Sequence, residues 1–176
     1  MKQRHLILGG ARSGKSRFAE SVVNTHCQQY ESQKIYLATA TALDEEMKQR
    51  IIRHQQERGD NWLLIEEPIN LAKVIAKTNA KECILIECLT LWINNCLYHK
   101  NWEEQKSAFI HALKNTSGAV VMVSNELGQG IIPTNALSRQ FIDESGWLHQ
   151  ELAVLCNKVS FVTAGIPQTL KNALPE

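Results

Sequence analysis

The stretch that decides the fold is Gly9-Gly10-Ala11-Arg12-Ser13-Gly14-Lys15-Ser16. It fits the pattern G-x-x-x-x-G-K-[ST] at every fixed position, with the apolar run 6–8 before it and a helical pattern after it. In such a loop, backbone N–H groups and the N-terminus of the following helix converge on phosphate oxygens. We therefore predict that these residues bind the phosphates of a nucleotide, with Lys15 reaching the β- and γ-phosphates and Ser16 coordinating Mg²⁺. The alternative is a glycine-rich turn that only joins a strand to a helix.

Short apolar runs alternate with helical patterns along the rest of the chain. The runs are apolar without alternation, which is typical of strands buried on both faces of a parallel sheet. Strands are predicted at 5–9, 34–39, 83–87, 119–124 and 159–163, with a weaker edge strand at 62–65. Helices are predicted at 16–26, 43–58, 69–79, 89–99, 103–114 and 135–157. This order predicts an α/β fold with a RecA-like, doubly wound, mainly parallel sheet. Pro167 and Pro175 lie in a tail that is expected to end irregularly.

Length and composition restrict the class of protein. A chain of 176 residues with 44% hydrophobic residues fits one domain, which we assign to 1–176. The formal net charge of +1 argues against a nucleic-acid-coating surface. No stretch approaches the ~20 apolar residues of a membrane span, and the apolar run after Met1–His5 is too short for a signal peptide. The five cysteines form no Cys-x-x-Cys pair and are expected to be buried, reduced thiols of a cytoplasmic protein.

A carboxylate ends the third main strand. Ile84-Leu85-Ile86 is followed by Glu87, the expected place for an acidic residue that helps to hold Mg²⁺ beside the phosphate loop. Aspartate is commoner there, and a glutamate at a strand end can also be simply solvated. We predict that Glu87 contributes to the metal and nucleotide site.

A histidine lies between two arginines in the predicted helix 43–58. Arg50, His54 and Arg58 are four residues apart, which places them on one stripe that drifts about 40° per step. Two flanking cations disfavour protonation of the imidazole, and guanidinium groups can bind phosphate oxygens. This set of groups suits a histidine nucleophile in nucleotidyl transfer. From spacing alone, however, a solvated basic helix face is the simpler interpretation.

These segments together resemble the bifunctional adenosylcobinamide kinase/adenosylcobinamide-phosphate guanylyltransferase family. The resemblance covers nearly the whole chain. Its most specific part is Arg50-x3-His54-x3-Arg58-x3-Trp62-x3-Glu66-x-Pro68, together with the segment 123–133, which contains Ser-Asn-Glu-Leu-Gly-Gln-Gly. Further matches lie at 36–39, 44–47, 85–95, 139–150 and 165–167. One departure is His149, where the family often has asparagine.

The resemblance implies two reactions. The first phosphorylates adenosylcobinamide with ATP or GTP, and the second transfers GMP from GTP to adenosylcobinamide phosphate and releases pyrophosphate. It also implies that His54 carries the GMP, that Arg50, Arg58 and Glu66 contact the nucleotide, and that the protein is a homotrimer. The residues 124–126 and the loop 128–130 follow a strand's carboxyl end, where open α/β sheets bind ligands, so we expect substrate or nucleotide contact there. His26, His99 and His111 match no motif and are predicted to lie at the surface.

Three other classes of function stay open at this point. A different small-molecule P-loop kinase shares the loop 9–16 but has no use for His54. A RecA-like motor or nucleotide-gated binding module would need basic or partner-binding surfaces, which the near-zero net charge does not favour. A degenerate relative with one activity is disfavoured because the phosphate loop and His54 are both present.

Overall fold

The computed structural model describes residues 3–40 and 61–173. These residues form seven strands and five helices. The strands are β1 (Arg4–Gly9), β2 (Gln33–Ala38), β3 (Leu63–Glu66), β4 (Glu82–Glu87), β5 (Ala119–Asn125), β6 (Lys158–Thr163) and β7 (Ile166–Asn172). The helices are α1 (Lys15–Tyr30), α2 (Leu71–Ile75), α3 (Leu89–Tyr98), α4 (Trp102–Asn115) and α5 (Ala136–Leu155). The predicted helix 43–58 lies outside the described residues.

All seven strands belong to one sheet in the order β3-β2-β4-β5-β1-β6-β7. Neighbouring strands from β3 to β6 are parallel, and only β7 pairs antiparallel, with β6. The phosphate-loop strand β1 is therefore separated from β4, which carries Glu87, by the single strand β5. The predicted α/β fold with a RecA-like, mainly parallel sheet is confirmed.

Helices cover both faces of the sheet and bury its apolar strands. On one face α1 packs through Ala19 and Val23 against Ile7 and Val123. On the other face the larger core holds side chains from the remaining helices, including Trp92 and Phe109, whose ring centroids are 4.8 Å apart. Burial on both faces explains why the strands read as continuous apolar runs. No helix within 3–40 and 61–173 is both long enough and apolar enough to span a membrane.

The prediction of an irregular tail is wrong for the part around Pro167, because β7 extends the sheet there as an edge strand; Pro175 lies outside the described residues. Pro167 lies in β7 opposite Val162 of β6. Proline lacks an N–H group, so it is tolerated on an edge strand, where one side of the strand has no neighbour to receive that group. The β6–β7 connection is tight, with Ala164 at φ 52° and Gly165 at φ 79°.

Two helix predictions are only partly correct. The helix predicted at 69–79 is limited to Leu71–Ile75. It begins later than predicted because the Glu67 carboxylate accepts hydrogen bonds from the N–H groups of Ile69 and Asn70. In α5, Leu148 and Leu152 are buried as the spacing indicates, whereas Leu137 in its first turn is 74% exposed.

Candidate functional site

The phosphate loop joins the end of β1 to the start of α1. Gly14 precedes the helix with φ 92°, a conformation that favours glycine, and no side chain caps α1 at this end. Gly9 is required for a different reason: a Cβ atom there would lie 2.6 Å from the carbonyl oxygen of Val162. The loop therefore leaves the N-terminal end of α1, with its positive dipole end, open to an anion.

The β6–β7 turn rests directly on this loop. The Gly165 N–H donates to the carbonyl oxygen of Ser13 at 2.8 Å. A Cβ atom at Gly14 would meet the Gly165 Cα at 3.1 Å, so the two glycines allow the close approach. Sequence reasoning gave the turn no role, since nothing in the pattern indicates that Ser13 and Gly165, 152 positions apart, touch.

Lys15 and Ser16, the first residues of α1, lie beside the carboxyl ends of the strands. The Lys15 Nζ donates to the Gly10 carbonyl oxygen at 3.1 Å, within the loop itself. The Ser16 Oγ donates to Glu87 Oε1 at 2.7 Å. The structure thus brings together the phosphate loop and the acidic strand end, two features that lie 71 residues apart in sequence.

The hydroxyl and the carboxylate fit a magnesium ion. Both are hard oxygen donors at one point, and Mg²⁺ in nucleotide sites is bound by one or two such groups plus phosphate oxygens. The 3–40 and 61–173 segments contain no cluster of three or more His, Cys, Asp or Glu side chains placed to hold a metal alone. A cation held here would therefore depend on the nucleotide for most of its ligands.

Hydrogen bonds among loops fix the strand ends around Glu87. The Thr39 Oγ1 donates to the Cys88 carbonyl oxygen at 2.7 Å and accepts from the Cys88 N–H at 2.8 Å. The Asn95 amide donates to the carbonyl oxygens of Thr39 and Pro68. These bonds join the ends of β2, β3 and β4, so that the edge carrying Glu87 is held in one arrangement.

Glu66 ends β3 at the same edge as Glu87. Ala38 of β2 is in register with Glu66 on one side and with Glu87 on the other. Glu66 is exposed, so its carboxylate is available to a ligand that lies over β2.

A chain of polar side chains lies behind the end of β5. The Asn125 N–H donates to Thr90 Oγ1 at 2.7 Å, and the hydroxyl oxygens of Thr90 and Ser124 are 3.3 Å apart. His149 Nε2 lies 2.8 Å from the Ser124 Oγ, and its Nδ1 lies 3.8 Å from Glu126 Oε2. Burial lowers the pKa of His149 below its usual value, and the Glu126 carboxylate opposes that shift. A neutral His149 can accept a hydrogen bond from the Ser124 hydroxyl, which completes the chain of hydrogen bonds from Asn125 to His149.

The loop that follows β5 is tied to the phosphate loop. The Glu126 N–H donates to the Gly9 carbonyl oxygen at 3.1 Å, and Glu126 Oε1 accepts from the Gly128 N–H at 2.7 Å. Beyond this point Ile131 and Ile132 are 96% and 78% exposed. They line a cavity of about 280 Å³ that also includes Arg139.

Arg50, His54 and Arg58 lie outside the described residues. Of the histidines predicted to lie at the surface, His99 and His111 are exposed. The prediction for His26 is wrong: it is 6% exposed, its Nδ1 is 2.7 Å from Gln3 Oε1, and its ring packs against Tyr30. All five cysteines are free thiols, and four of them are buried, as predicted.

Comparison with known protein families gives one match along most of the chain. The family described as cobinamide kinase / cobinamide phosphate guanyltransferase matches residues 5–170. A Pseudomonas aeruginosa protein named bifunctional adenosylcobalamin biosynthesis protein CobP is 42% identical over 96% of this chain and 97% of its own length. The Escherichia coli protein named bifunctional adenosylcobalamin biosynthesis protein CobU is 36% identical over 94% of this chain and 98% of its own length.

Solved structures resemble the chain in fold alone. The flagellar accessory protein FlaH from Methanocaldococcus jannaschii matches with a TM-score of 0.54 at 15% identity, over 97% of this chain and 79% of FlaH. A KaiC-like protein from Pyrococcus horikoshii matches with a TM-score of 0.53 at 14% identity, over 90% of this chain and 70% of that protein.

Proposed function

The chain belongs to the cobinamide kinase / cobinamide phosphate guanyltransferase family, and from this premise we propose how its residues divide the two reactions. The kinase step phosphorylates adenosylcobinamide with ATP or GTP. The guanylyltransferase step then transfers GMP from GTP to adenosylcobinamide phosphate, giving adenosyl-GDP-cobinamide and pyrophosphate. The full-length relatives are named as bifunctional, in agreement with both activities.

The observation that carries the proposal is the hydrogen bond from Ser16 to Glu87. This bond brings the Ser16 hydroxyl, at the N-terminal end of α1, to 2.7 Å from a carboxylate oxygen of Glu87. Phosphoryl transfer requires such a placement of the phosphate loop beside its metal ligand. Ser16 and Glu87 would hold Mg²⁺, which when bound neutralises charge on the phosphates. Lys15 leaves the Gly10 carbonyl oxygen and pairs with the β- and γ-phosphates, while the loop's N–H groups orient the phosphate chain for attack by the acceptor hydroxyl.

For the guanylyltransferase step we assign the nucleophile to His54. An imidazole nitrogen attacks the α-phosphorus of GTP, a phosphorus–nitrogen bond forms, and pyrophosphate leaves with the electron pair of the broken bond. The phosphate oxygen of adenosylcobinamide phosphate then attacks the same phosphorus and frees the imidazole. Arg50 and Arg58 bind phosphate oxygens in this scheme, and Glu66, exposed at the end of β3, contacts the nucleotide.

The acceptor is assigned to the same edge of the sheet. The loop 128–130 is tied to Gly9 through Glu126, so a substrate that touches this loop lies beside the phosphates. The exposed Ile131 and Ile132 offer apolar surface to the body of a large corrinoid. Replacing Ile132 by serine is expected to raise KM for the corrinoid more than KM for GTP.

The experiment that tests the division is transfer of label from GTP. With Mg²⁺ and GTP labelled at the α-phosphate, the denatured protein is expected to carry acid-labile, base-stable label that His54→Ala abolishes. The matched control is His99→Ala, an exposed histidine outside every motif, which keeps the label. Lys15→Ala is expected to abolish phosphorylation of adenosylcobinamide, which His54→Ala leaves largely intact. Equal labelling of the wild type and His54→Ala would refute the assignment of the nucleophile.

We also propose that the protein assembles as a homotrimer with sites near subunit boundaries. The support is the exposure of large apolar side chains: Trp147 and Val154 on α5 are 54% and 77% exposed, and Ile166 and Leu170 on the edge strand β7 are 67% and 61% exposed. Sedimentation equilibrium at several concentrations measures the assembly directly. A monomer throughout would contradict this part.

A further inference from the structure

Asn125 ends β5 between the two strands that carry the phosphate site. It is in register with Gly9 of β1, where the phosphate loop begins. On the other side, Val123 is in register with Glu87 of β4. Asn125 therefore lies two residues beyond the position in register with Glu87, toward the carboxyl ends of the strands where nucleotide phosphates bind.

The alternation of side chains along β5 decides which face Asn125 occupies. Val121 and Val123 pack in the core cluster on the α1 face. The Ser124 side chain points the other way, since its hydroxyl contacts His149 of α5. Because successive strand residues face opposite sides, Asn125 falls on the α1 face, the side on which Lys15 and Ser16 begin α1.

One end of the Asn125 carboxamide is buried without a partner. Its Oδ1 atom is closed to solvent and has no hydrogen-bond partner among residues 3–40 and 61–173. Such a group costs free energy until it is satisfied. Because the Oδ1 side of the carboxamide is closed to solvent, the NH₂ group is the end that can donate to an anion.

Hydrogen bonds hold the backbone on both sides of Asn125. Its own N–H is bound by Thr90 Oγ1 at 2.7 Å, and the N–H of the next residue, Glu126, is bound by the Gly9 carbonyl oxygen at 3.1 Å. The Asn125 backbone is therefore fixed both to α3 and to the start of the phosphate loop. A side chain on a backbone held in this way is aimed before the ligand arrives.

We propose that the Asn125 carboxamide binds the γ-phosphoryl group of the nucleotide. Ser16 and Glu87 would hold Mg²⁺, which would neutralise charge at the β,γ end of the triphosphate. Asn125 lies on the strand beside Glu87 and on the same face. Its NH₂ group donates to a γ-oxygen, which orients the group to be transferred. The inference rests on the kinase role of the phosphate loop proposed above.

The test is the preference of the protein for a triphosphate over a diphosphate. Dissociation constants for the β,γ-imido analogue of GTP and for GDP are measured by calorimetry with Mg²⁺ and no acceptor. The preference is the dissociation constant for GDP divided by that for the analogue. Asn125→Ala is expected to reduce this ratio about tenfold, which is the effect of losing one hydrogen bond to a charged group. Asn125→Asp, which keeps the shape and adds a negative charge, is expected to reduce it further. Asn115→Ala, an exposed asparagine at the end of α4, leaves the ratio unchanged.

The outcomes separate this inference from the proposed function. If the wild type prefers the triphosphate and both Asn125 variants keep that preference, the γ-phosphate contact is wrong while the kinase assignment stands. Equal weakening of both nucleotides would also overturn it, because Asn125 would then only support the loop. Failure of the wild type to bind either nucleotide would instead overturn the kinase role on which the inference rests.

Discussion

Adding one methyl group at Gly9 tests whether the phosphate loop depends on the close approach of β1 to β6. The Cβ atom of Gly9→Ala would lie 2.6 Å from the Val162 carbonyl oxygen and from the Ser13 Oγ. Ordinary contact begins near 3.4 Å, so the backbone must shift by roughly 0.8 Å (3.4 minus 2.6). Ser13 can rotate away, but Val162 meets the methyl group with backbone.

The expected cost follows from that overlap. Overpacking of this kind destabilises a protein by about 1–3 kcal/mol, which lowers the melting temperature of a chain of this size by roughly 2–12 °C. A displacement approaching 1 Å in a binding loop reduces turnover by up to about 100-fold. We therefore expect Gly9→Ala to melt earlier and to phosphorylate the acceptor far more slowly.

Gly10→Ala is the matched control for this experiment. A Cβ atom at Gly10 meets nothing within 4 Å among the described residues. Calorimetric melting curves and kinase rates of the two variants, measured side by side, isolate the contact with Val162. Equal behaviour of Gly9→Ala and Gly10→Ala would refute the reasoning.

Two further predictions concern charge. Burial lowers the pKa of His5 to about 4. As the pH falls, His5 of the unfolded chain therefore binds a proton before His5 of the folded chain does. Stability that is present at neutral pH is lost as the pH falls from about 6.5 toward 4. Between pH 7.5 and 5 the loss due to His5 is about 2 kcal/mol. Urea unfolding should therefore show a fall in stability that is larger by this amount in the wild type and in the exposed-site control His99→Asn than in His5→Asn. Parallel curves for all three proteins would count against the prediction. Glu87→Gln is expected to raise the Mg²⁺ concentration for half-maximal kinase activity about 10- to 100-fold. The control Glu104→Gln, on the exposed side of α4, is expected to leave it unchanged. An unaltered Mg²⁺ requirement in Glu87→Gln would show that the Glu87 carboxylate does not hold the metal.

The strands β1, β2, β4, β5 and β6 could be predicted from the sequence because they are covered on both faces. The bounds of β1, β2 and β4 differ from the expected ones by a single residue at one or both ends, since a continuous apolar run has few other solutions in an α/β fold. Pro167 misled the prediction for the opposite reason. β7 lies at the edge of the sheet and pairs only with β6. An edge strand tolerates proline, and because the side chains of β7 are exposed, its sequence carries no apolar run.

Within the site, what could be predicted was local in sequence. The loop 9–16 and the carboxylate at Glu87 follow from the spacing of residue types, and their hydrogen bond follows from the order of parallel strands. The contact of Gly165 with Ser13 and the burial of His26 depend on tertiary packing that no short pattern encodes. For His54 the sequence remains the source of the assignment.

The position of β1 between β5 and β6 determines when, during synthesis of the chain, the phosphate loop can form. This strand is made before the other described strands, yet both of its neighbours, β5 and β6, are made only after residue 118. The turn that closes over Ser13 comes later still, at Gly165. Contacts between such distant segments form slowly, so the nascent phosphate loop cannot take its final shape until Gly165 has emerged. Nucleotide binding then requires that β5 and β6 have both been added, and a chain that stops before β6 leaves the phosphate-loop strand paired on one side only.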